Sequence, residues 1–468
     1  MGIIAELPKI LEESRKEYEK TKEQKAHFSC DAILGGCLNP QQNRVSGKEE
    51  KESFCPENLL AVGDNSAFMG YLIRERDFAG KIQMIYIDPP FFSRSNYGTD
   101  LKVSSEKLGT LPKMKQFAYH DMWESGMEEY LRMLCLRFFQ MRDLLSDTGC
   151  LWVHLDWHSA HYVKVLLDEI FGEKNFINEI VWNYKSGGSS SRRFARKHDT
   201  LLFYAKTKDY YFHPQKEKSY NRGFKPYRFK GVQEYRDENG WYTMVNMKDV
   251  WQIDMVGRTS SERTGYATQK PEALLRRILE SCTRPGDWTA DFFGGSGTLA
   301  AASEKMGRRW IYCDVGTLAA AAAEKRLARN GKPFAVLTQE DSKLSKHTCR
   351  IDAGWKVEPA GATDHFLLTV ELTGYQLNPD SEVPVKEKDF SELKKAMHRD
   401  PLRFIEFWSI DYFYDGKVHR GEDVFFRNSG ELTTKTVRMG KDFQRIHIRA
   451  YDIFGNTAEY EALVSQTQ

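Results

Sequence analysis

Short apolar runs alternate with amphipathic stretches over the first two thirds of the chain. The apolar runs, which predict buried strands, cover residues 59–62, 82–87 and 150–155. The stretches with helical spacing cover residues 66–76, 127–145 and 163–171. Alternation of this kind predicts an α/β fold, in which helices cover both faces of a mostly parallel sheet. Ligands of such sheets bind beyond the carboxyl ends of the strands.

Two further regions flank this pattern or interrupt it. Residues 5–25 have helical spacing with a mostly polar surface, and residues 32–53, rich in Gly, Asn, Gln and Ser, predict a loop. Strands at residues 179–184 and 200–204 lie on either side of a short polar loop. Their closeness predicts an antiparallel hairpin at one side of the sheet.

The pattern changes after about residue 340. Period-two runs appear at residues 366–372 and 445–451, and the second run is followed by the turn Phe454-Gly455-Asn456. This period-two pattern predicts a separate β-rich domain, and a small β-sandwich is one fold that fits it.

Composition limits the class of protein. The chain has 468 residues, 41% of them hydrophobic and 29% charged, which is typical of a globular protein with two or three domains. It contains no apolar stretch of signal-peptide or membrane-spanning length, so we expect a cytoplasmic protein without a membrane partner. The eight cysteines are scattered without a C-x-x-C pair, which favours free thiols over a zinc site.

Charge is distributed unevenly along the chain. The net charge is only +2, but residues 185–230 contain thirteen Lys or Arg against three acids. Aromatic residues interleave with these basic residues between positions 210 and 229. A local excess of this kind suits a nucleic-acid backbone, although a small β subdomain with an aromatic core is the alternative.

The first chemical motif is residues 88–91, Asp-Pro-Pro-Phe, directly after the apolar run 82–87. A carboxylate from Asp88 and a carbonyl held rigid by the prolines can each accept one N–H of an exocyclic amine, which makes its nitrogen more nucleophilic. Phe91 offers a flat face for a base taken out of the duplex. A buried turn with the same residues is the alternative.

The second motif is residues 291–298, Asp-Phe-Phe-Gly-Gly-Ser-Gly-Thr, between an apolar run and a helical stretch. Glycines at such a turn allow the backbone to approach a ligand, and the helix amino terminus favours its carboxylate. Asp314 ends the next strand, where an acid can accept both hydroxyls of a ribose. Because no Walker lysine follows the glycines, a bound nucleotide phosphate is less favoured.

With its Asp-Pro-Pro-Phe motif preceding Phe293-x-Gly295-x-Gly297, the chain resembles the β-class amino-methyltransferases of DNA. Further matches to that family are Gly63-Asp64-Asn65 and Thr268-Gln269-Lys270-Pro271. The segments 178–182, 196–199 and 248–251 are similar to type III restriction-modification modification subunits. Together these matches cover about residues 59–330.

The resemblance implies a Rossmann-like methyltransferase fold that uses S-adenosylmethionine and no metal. It implies in-line methyl transfer to an amine, with these catalytic residues: Asp88, Pro89, Pro90 and Phe91. The residues it implies for the cofactor are Asp64, Thr268, Lys270, Asp291, Phe293, Gly295, Gly297, Thr298 and Asp314. The basic residues that we predict to contact DNA phosphates are Lys185, Arg192, Arg193, Arg196 and Lys197.

The resemblance also divides the chain and suggests partners. The expected parts are an N-terminal helix and linker (1–55), a catalytic half (56–206), a target recognition region (207–255), a cofactor half (256–340) and a C-terminal β-rich domain (341–468). Double-stranded DNA is the expected substrate, with a restriction subunit and a second copy of the chain as further candidate partners. In the family, Asp at the first motif position goes mostly with adenine N6, and Ser with cytosine N4. The alternatives are N4-cytosine methylation, an RNA or small-molecule substrate, and a catalytically silent DNA-binding subunit.

Overall fold

The computed structural model describes residues 2–36, 56–101, 103–105, 109–110, 114–188, 190–340, 349–359, 366–378, 383, 385–427, 434–439 and 445–464. Most of the loop predicted at 32–53 lies outside these residues, as do Cys37 and Cys55. The helices are α1 (Ile3–Thr21), α2 (Asn65–Arg74), α3 (Met127–Leu144), α4 (Ala160–Phe171), α5 (Glu272–Cys282), α6 (Thr298–Lys305), α7 (Thr317–Ala328) and α8 (Glu387–Arg399). Short 3-10 turns cover Glu173–Asn175, Arg222–Phe224 and Pro401–Phe404.

The described residues also form 25 strands. The first twelve are β1 (Phe28–Leu34), β2 (Asn58–Val62), β3 (Ile82–Ile87), β4 (Asn96–Leu101), β5 (Ser104–Ser105), β6 (Gly109–Thr110), β7 (Met114–His120), β8 (Leu145–Leu155), β9 (Phe176–Asn183), β10 (His198–Ala205), β11 (Lys216–Tyr220) and β12 (Glu234–Asp237). The others are β13 (Gly240–Asn246), β14 (Val250–Gln252), β15 (Trp288–Asp291), β16 (Arg309–Asp314), β17 (Phe334–Gln339), β18 (Cys349–Pro359), β19 (Phe366–Leu377), β20 (Ile405–Asp411), β21 (His419–Arg420), β22 (Asp423–Phe426), β23 (Thr434–Met439), β24 (Arg445–Asp452) and β25 (Thr457–Leu463).

One large sheet organises the described residues. Its strand order is β14-β9-β10-β8-β3-β15-β16-β2-β17-β1-β21. The central strands β8, β3, β15, β16, β2 and β17 are mutually parallel, and β10 pairs antiparallel with both β8 and β9. The predicted α/β fold with a mostly parallel sheet and a side hairpin is therefore confirmed.

Helices cover both faces of this sheet because the central strands are apolar on both sides. In β3, Ile85 and Ile87 pack into a core shared with α2, α3 and α4. The intervening Met84 and Tyr86 pack into a second core with α5 and α6. Side chains alternate between the faces of a strand, so a fully apolar run is what a doubly covered strand requires.

The N-terminal region contains a strand that the sequence pattern did not predict. β1 pairs antiparallel with β17 through residues 28–34, so the prediction of a loop is wrong for Ala32, Ile33 and Leu34. All three side chains are buried. Their pairing partners lie some 300 residues later, and single-sequence composition contains no signal for such a contact.

The C-terminal β-rich region forms two further sheets, ordered β18-β19-β23 and β22-β20-β24-β25. Both sheets and α8 contribute to one apolar core, which includes Leu368, Leu393 and Trp408. The short strand β21 leaves this region and pairs with β1 at the edge of the large sheet. The domain boundaries expected from the sequence stay predictions. In the part of the chain that the structure describes, no helix has the length and apolar character to cross a bilayer.

Candidate active site

Residues 88–91 follow the carboxyl end of β3 and form a turn that hydrogen bonds hold in place. Phe92 has φ of +64°, a left-handed conformation that a bulky residue adopts only when its surroundings hold it there. The buried carboxylate of Asp121 gives that support by accepting hydrogen bonds from the Phe92 amide (3.1 Å) and the Ser93 amide (2.6 Å). The turn is therefore fixed in direction.

The glycine turn, residues 291–298, connects β15 to α6. Gly295 and Gly297 have φ of +50° and +72°, which favours glycine at both positions. Asp314, at the end of β16, accepts a hydrogen bond from the Gly295 amide at 2.9 Å, and the Tyr312 hydroxyl donates to the Gly295 carbonyl at 2.8 Å. The neighbouring strand therefore holds the turn in place.

The two motifs meet because their strands are neighbours. β3, β15, β16 and β2 are adjacent and parallel, so their carboxyl ends share one edge of the sheet. A cavity of about 550 Å³ opens at this edge, and acids that follow or end the four strands line it: Asp88, Asp291, Asp314 and Asp64. The sequence placed Asp88, Asp291 and Asp314 at strand ends and indicated Asp64 by resemblance to the family, and the structure brings the four together.

Lys270 connects the two halves of the site. Its ammonium nitrogen lies 2.5 Å from Oδ2 of Asp88 and 5.1 Å from the centroid of the Phe91 ring. The other Asp88 oxygen, Oδ1, is buried and accepts no hydrogen bond among the described residues. The sequence assigned Lys270 to the cofactor, whereas the structure pairs it with the carboxylate predicted to be catalytic.

Acidic side chains outnumber basic ones in the lining of the cavity. Arg137 lies 2.9 Å from Asp64 and Lys270 pairs with Asp88, whereas Asp291 and Asp314 have no salt bridge in the described residues. Burial, with the nearby Asp88 and Asp314 carboxylates, raises the pKa of Asp291 well above its ordinary value, against a hydrogen bond from the Phe293 amide. Burial also raises the pKa of Asp314. Such a cavity suits a ligand with positive charge.

Comparison with known proteins decides the family. The DNA methylase family matches residues 82–325, which is more than half of the chain and contains both motifs. The chain belongs to the DNA methylase family. Members of this family take their methyl group from S-adenosylmethionine.

The methylase has relatives in restriction-modification systems. It is 28% identical over 353 residues to the type II methyltransferase M.EcaI of Enterobacter cloacae, covering 62% of this chain and 74% of that protein. It is 26% identical over 170 residues to the type III restriction-modification enzyme EcoP15I Mod subunit of Escherichia coli, covering 34% of this chain but only 26% of that subunit. The crystal structure of the M1.HpyAVI–SAM complex is also similar, with 18% identity and a TM-score of 0.37, covering 57% of this chain and 98% of that one.

The other predicted cofactor residues line the same cavity except Gly297, which packs against Ala323 of α7. Asp64 lines it, caps α2 by accepting the Ala67 amide hydrogen at 2.8 Å, and pairs with Arg137. Thr268 is exposed and has φ of +59°, a strained conformation for a β-branched residue. The Thr298 hydroxyl donates to the Lys270 carbonyl at 3.2 Å, which links the glycine turn to the segment that contains Lys270.

Several cavity residues were not predicted from the sequence. Arg137 comes from the middle of α3, where a helical pattern gives no reason to single out one arginine. Asn65 donates to the Phe292 carbonyl at 2.6 Å and so joins α2 to the glycine turn. Tyr266 lines the cavity beside Gly295. Asn65 belongs to the motif at residues 63–65 and Tyr266 lies two positions before the motif at 268–271, whereas no sequence signal marks Arg137.

The predicted phosphate-binding residues lie on the loop between β9 and β10. Because His198 pairs with Asn183 and Thr200 with Leu155, this loop leaves the sheet at the same edge as the carboxyl ends of β8 and β3. The exposed members are Lys185, Arg192, Arg193 and Arg196. Lys197 instead binds within the loop, where its ammonium group donates to the Ser186 and Gly187 carbonyls.

Two aromatic residues beside these cations were not predicted. Phe194 has a relative exposure of 98%, the highest of any large hydrophobic residue described. The Arg196 guanidinium lies 3.5 Å from the centroid of the Trp157 ring, which is itself partly exposed. Aromatic and basic side chains together are typical of surfaces that bind nucleic acid.

We predict that Gly294→Ala weakens cofactor binding at least tenfold. A Cβ atom at this position would lie 2.2 Å from Cε2 of the buried Tyr312 ring, and overpacking of this kind costs about 1–3 kcal/mol. Displacing the ring would also disturb its hydrogen bond to Gly295. Titration with S-adenosylmethionine measures the effect. The control is Gly257→Ala, where the added Cβ would meet nothing within 4 Å, and equal binding by the two variants would contradict the prediction.

Proposed function

We propose that this methylase transfers a methyl group from S-adenosylmethionine to N6 of adenine at a specific sequence in double-stranded DNA, within a restriction-modification system. Asp88 is the observation that carries the proposal. It lines the cavity, one of its oxygens is held by Lys270, and the other is a buried acceptor without a hydrogen bond in the described residues. An unpaired buried acceptor is costly, so a donor such as an amine N–H is the expected occupant.

The residues present fit S-adenosylmethionine. Bound there, this cofactor supplies an activated methyl group on a positively charged sulfur. The buried carboxylates of Asp291 and Asp314, which have no salt bridge in the described residues, favour such a cation. The amide groups at the start of α6 suit the carboxylate end of an amino acid. The residues that would hold it are Asp64, Thr268, Asp291, Phe293, Gly295, Gly297, Thr298 and Asp314.

The chain's own groups then prepare the amine. Oδ1 of Asp88 accepts one N–H and the Pro89 carbonyl accepts the other, which withdraws the nitrogen lone pair from conjugation with the ring. Lys270 holds the second carboxylate oxygen, so Asp88 keeps one orientation. Much of the acceleration comes from holding donor and acceptor in line.

Adenine is proposed over cytosine because Asp stands first in the motif, and the resemblance associates Asp with N6 of adenine. N4-cytosine methylation would use the same acceptors. The relatives in type II and type III systems suggest a restriction enzyme as partner, and a homodimer is a further proposal. The segment 207–255, which contains a sheet ordered β11-β13-β12, is proposed to recognise the target sequence. Its exposed aromatic side chains support this role: Phe212, Tyr220, Tyr227, Phe229 and Tyr235.

We expect the variant Arg192→Ala/Arg193→Ala to bind every DNA sequence more weakly. Both side chains are exposed on the loop at the cavity edge. DNA phosphates that bind there would release their counterions. Removing two phosphate contacts should flatten the slope of log K against log salt by about 1.8. Fluorescence anisotropy with cognate and scrambled duplexes measures this. Lys20→Ala/Lys25→Ala removes the same charge from exposed positions in and after α1 and should leave the slope unchanged; a loss confined to one sequence would contradict the prediction.

The experiment that tests the proposed function is transfer of labelled methyl from S-adenosylmethionine to unmethylated DNA, with RNA as a parallel acceptor. Nucleosides are then separated. Label in N6-methyladenine supports the proposal, and label in N4-methylcytosine overturns the choice of base. Label in RNA alone overturns the DNA substrate. Cofactor binding without transfer to either acceptor indicates a silent subunit.

A further inference from the structure

A buried chain of polar side chains extends sideways from Asp88 through the large sheet. The Tyr86 hydroxyl lies 2.8 Å from Nδ1 of His154, and Nε2 of His154 lies 3.2 Å from Oδ2 of Asp199. The Tyr184 hydroxyl donates to Oδ1 of Asp199 at 3.0 Å. Nδ1 of His154 also lies 3.9 Å from the unpaired Oδ1 of Asp88.

This arrangement follows from the strand order. Tyr86 and Asp88 are two residues apart along β3 and therefore share a face, and β3, β8, β10 and β9 are consecutive neighbours. His154 comes from β8 and Asp199 from β10. Each strand thus contributes one polar group at the edge where the cavity opens.

The imidazole of His154 is completely buried and held from both sides. The Trp182 ring contacts it edge-on at 5.3 Å between centroids, and the Phe91 ring lies 5.6 Å away. Burying an ionisable ring is costly unless its nitrogens are bonded, and both nitrogens of His154 have partners in Tyr86 and Asp199. A polar group at this position, in contact with the motif segment 88–91, points to a role in the chemistry.

The partners of His154 fix which nitrogen carries hydrogen. Burial raises the pKa of Asp199, but the hydrogen bonds from His154 and Tyr184 and the nearby charge of Lys270 lower it more, so that its pKa lies below the ordinary value. Ionised Asp199 only accepts hydrogen bonds, and it therefore takes the Nε2 hydrogen of His154. Burial raises the pKa of Tyr86 well above its ordinary value, so its hydroxyl remains a donor to Nδ1. The ring hydrogen therefore lies on Nε2, and Nδ1, which accepts from Tyr86, lies beside Asp88.

Methylation of an amine requires a proton acceptor. The exocyclic nitrogen enters with two hydrogens and leaves with one: its lone pair forms the new bond to carbon, the methyl–sulfur bond breaks with its electrons going to sulfur, and one proton must leave the nitrogen. Oδ1 of Asp88 is the first acceptor within reach of that proton. From Asp88 the proton needs a second site, because an uncharged carboxyl group could not accept the next amine.

We propose that His154, held by Asp199, is a positioning residue for Asp88 and receives through it the proton released by methylation. Nδ1 takes the proton as the Tyr86 hydroxyl rotates from donor to acceptor, and the imidazolium is stabilised by Asp199 on one side and by the restored Asp88 carboxylate on the other. The 3.9 Å separation of Nδ1 and Oδ1 exceeds a hydrogen bond, as is common before substrate closes a site. This inference rests on the proposed methyl transfer and adds to it the path of the proton.

Other titratable groups surround the pair. Tyr86 faces Nδ1 from β3, Tyr184 faces Asp199 from the end of β9, and Lys270 faces Asp88 from the segment before α5. Among these, His154 provides the ring nitrogen that lies nearest to the Asp88 oxygen without a hydrogen bond in the described residues. The proposal therefore predicts a pH dependence that follows His154.

The test is the single-turnover rate of methyl transfer to DNA, measured against pH for wild type, His154→Gln and Asp199→Asn, with His398→Gln as an exposed control on α8. Wild type should show a rate that rises with pH to a plateau. His154→Gln should lose this titration and reach a plateau about 10²-fold lower. Asp199→Asn should move the midpoint to lower pH, because the imidazolium loses its stabilising carboxylate. Cofactor affinity and melting temperature are measured alongside.

The outcomes separate this inference from the proposed function. Wild type could transfer methyl groups while both variants keep the wild-type rate or the wild-type pH midpoint. That result would overturn the proton path and leave the proposed function standing. If His154→Gln melts well below wild type, the midpoint of the better-folded Asp199→Asn decides. A uniform loss of rate without a shifted midpoint would mean a purely structural role and would also overturn the inference. If wild type transfers no methyl group to DNA, the proposed function fails and the inference fails with it.

Discussion

Asp88→Ala should lower the rate of methyl transfer by about 10³-fold while the protein still binds S-adenosylmethionine. The change removes the carboxylate oxygen that would accept the amine N–H, and it leaves the ammonium of Lys270, itself only 11% exposed, without its partner. The cavity acids on the other strands stay in place. Single-turnover transfer measures the rate, and calorimetric titration measures cofactor affinity.

The matched control for this variant is Asp147→Ala. Asp147 is 88% exposed and lies near the start of β8, at the opposite edge of the sheet from the cavity. The Asp147→Ala variant should transfer methyl groups at the wild-type rate. If Asp88→Ala retained more than about a tenth of the wild-type rate, a tenfold change being worth about 1.4 kcal/mol, the assigned role would be wrong.

Asp314→Ala should weaken the binding of S-adenosylmethionine, whereas Asp88→Ala should mainly lower the rate of methyl transfer. Asp314 accepts hydrogen bonds from the Gly295 amide at 2.9 Å and the Gly316 amide at 2.8 Å, and it thereby fixes the two backbone segments beside the cavity. Hydrogen bonds to a charged group contribute about 1.5–3 kcal/mol each, so a loss of about 10²-fold in affinity is expected.

Measuring the affinity for S-adenosylmethionine, and the transfer rate at saturating and at limiting cofactor, tests this second variant. At limiting cofactor its rate should fall with the affinity, and high cofactor concentrations should restore part of the rate. Asp88→Ala should not be restored in this way. Unchanged cofactor affinity in Asp314→Ala would show that the carboxylate is dispensable and would contradict the assignment of this strand end to the cofactor.

The elements nearest the site could be predicted from the sequence because their signals are local. The apolar run 82–87 coincides with β3, since a strand covered on both faces needs apolar residues throughout. Asp88, the glycine turn and Asp314 could each be placed at a strand end. Parallel neighbours then bring these ends to one edge without any further information.

The pairings across the site could not be predicted because they depend on contacts between distant parts of the chain. Lys270 was assigned from its motif alone, and its ion pair with Asp88 spans 182 positions. Arg137 reaches Asp64 from the middle of α3. His154 was read as an ordinary strand residue, and Asp199 only as part of a segment similar to type III modification subunits. A strand pattern shows which face a side chain occupies but not which group lies opposite.

The central claim is that this methylase modifies adenine N6 in DNA at a specific sequence. The most direct measurement is to express wild type and Asp88→Ala in a bacterial host that lacks DNA methylation, and to map modified bases in its genome at single-base resolution. N6-methyladenine at one recurring sequence with wild type, and none with Asp88→Ala, is the predicted result. The claim would be contradicted by N4-methylcytosine in the genome. It would also be contradicted if the DNA of a host that contains folded wild-type protein had no modified base.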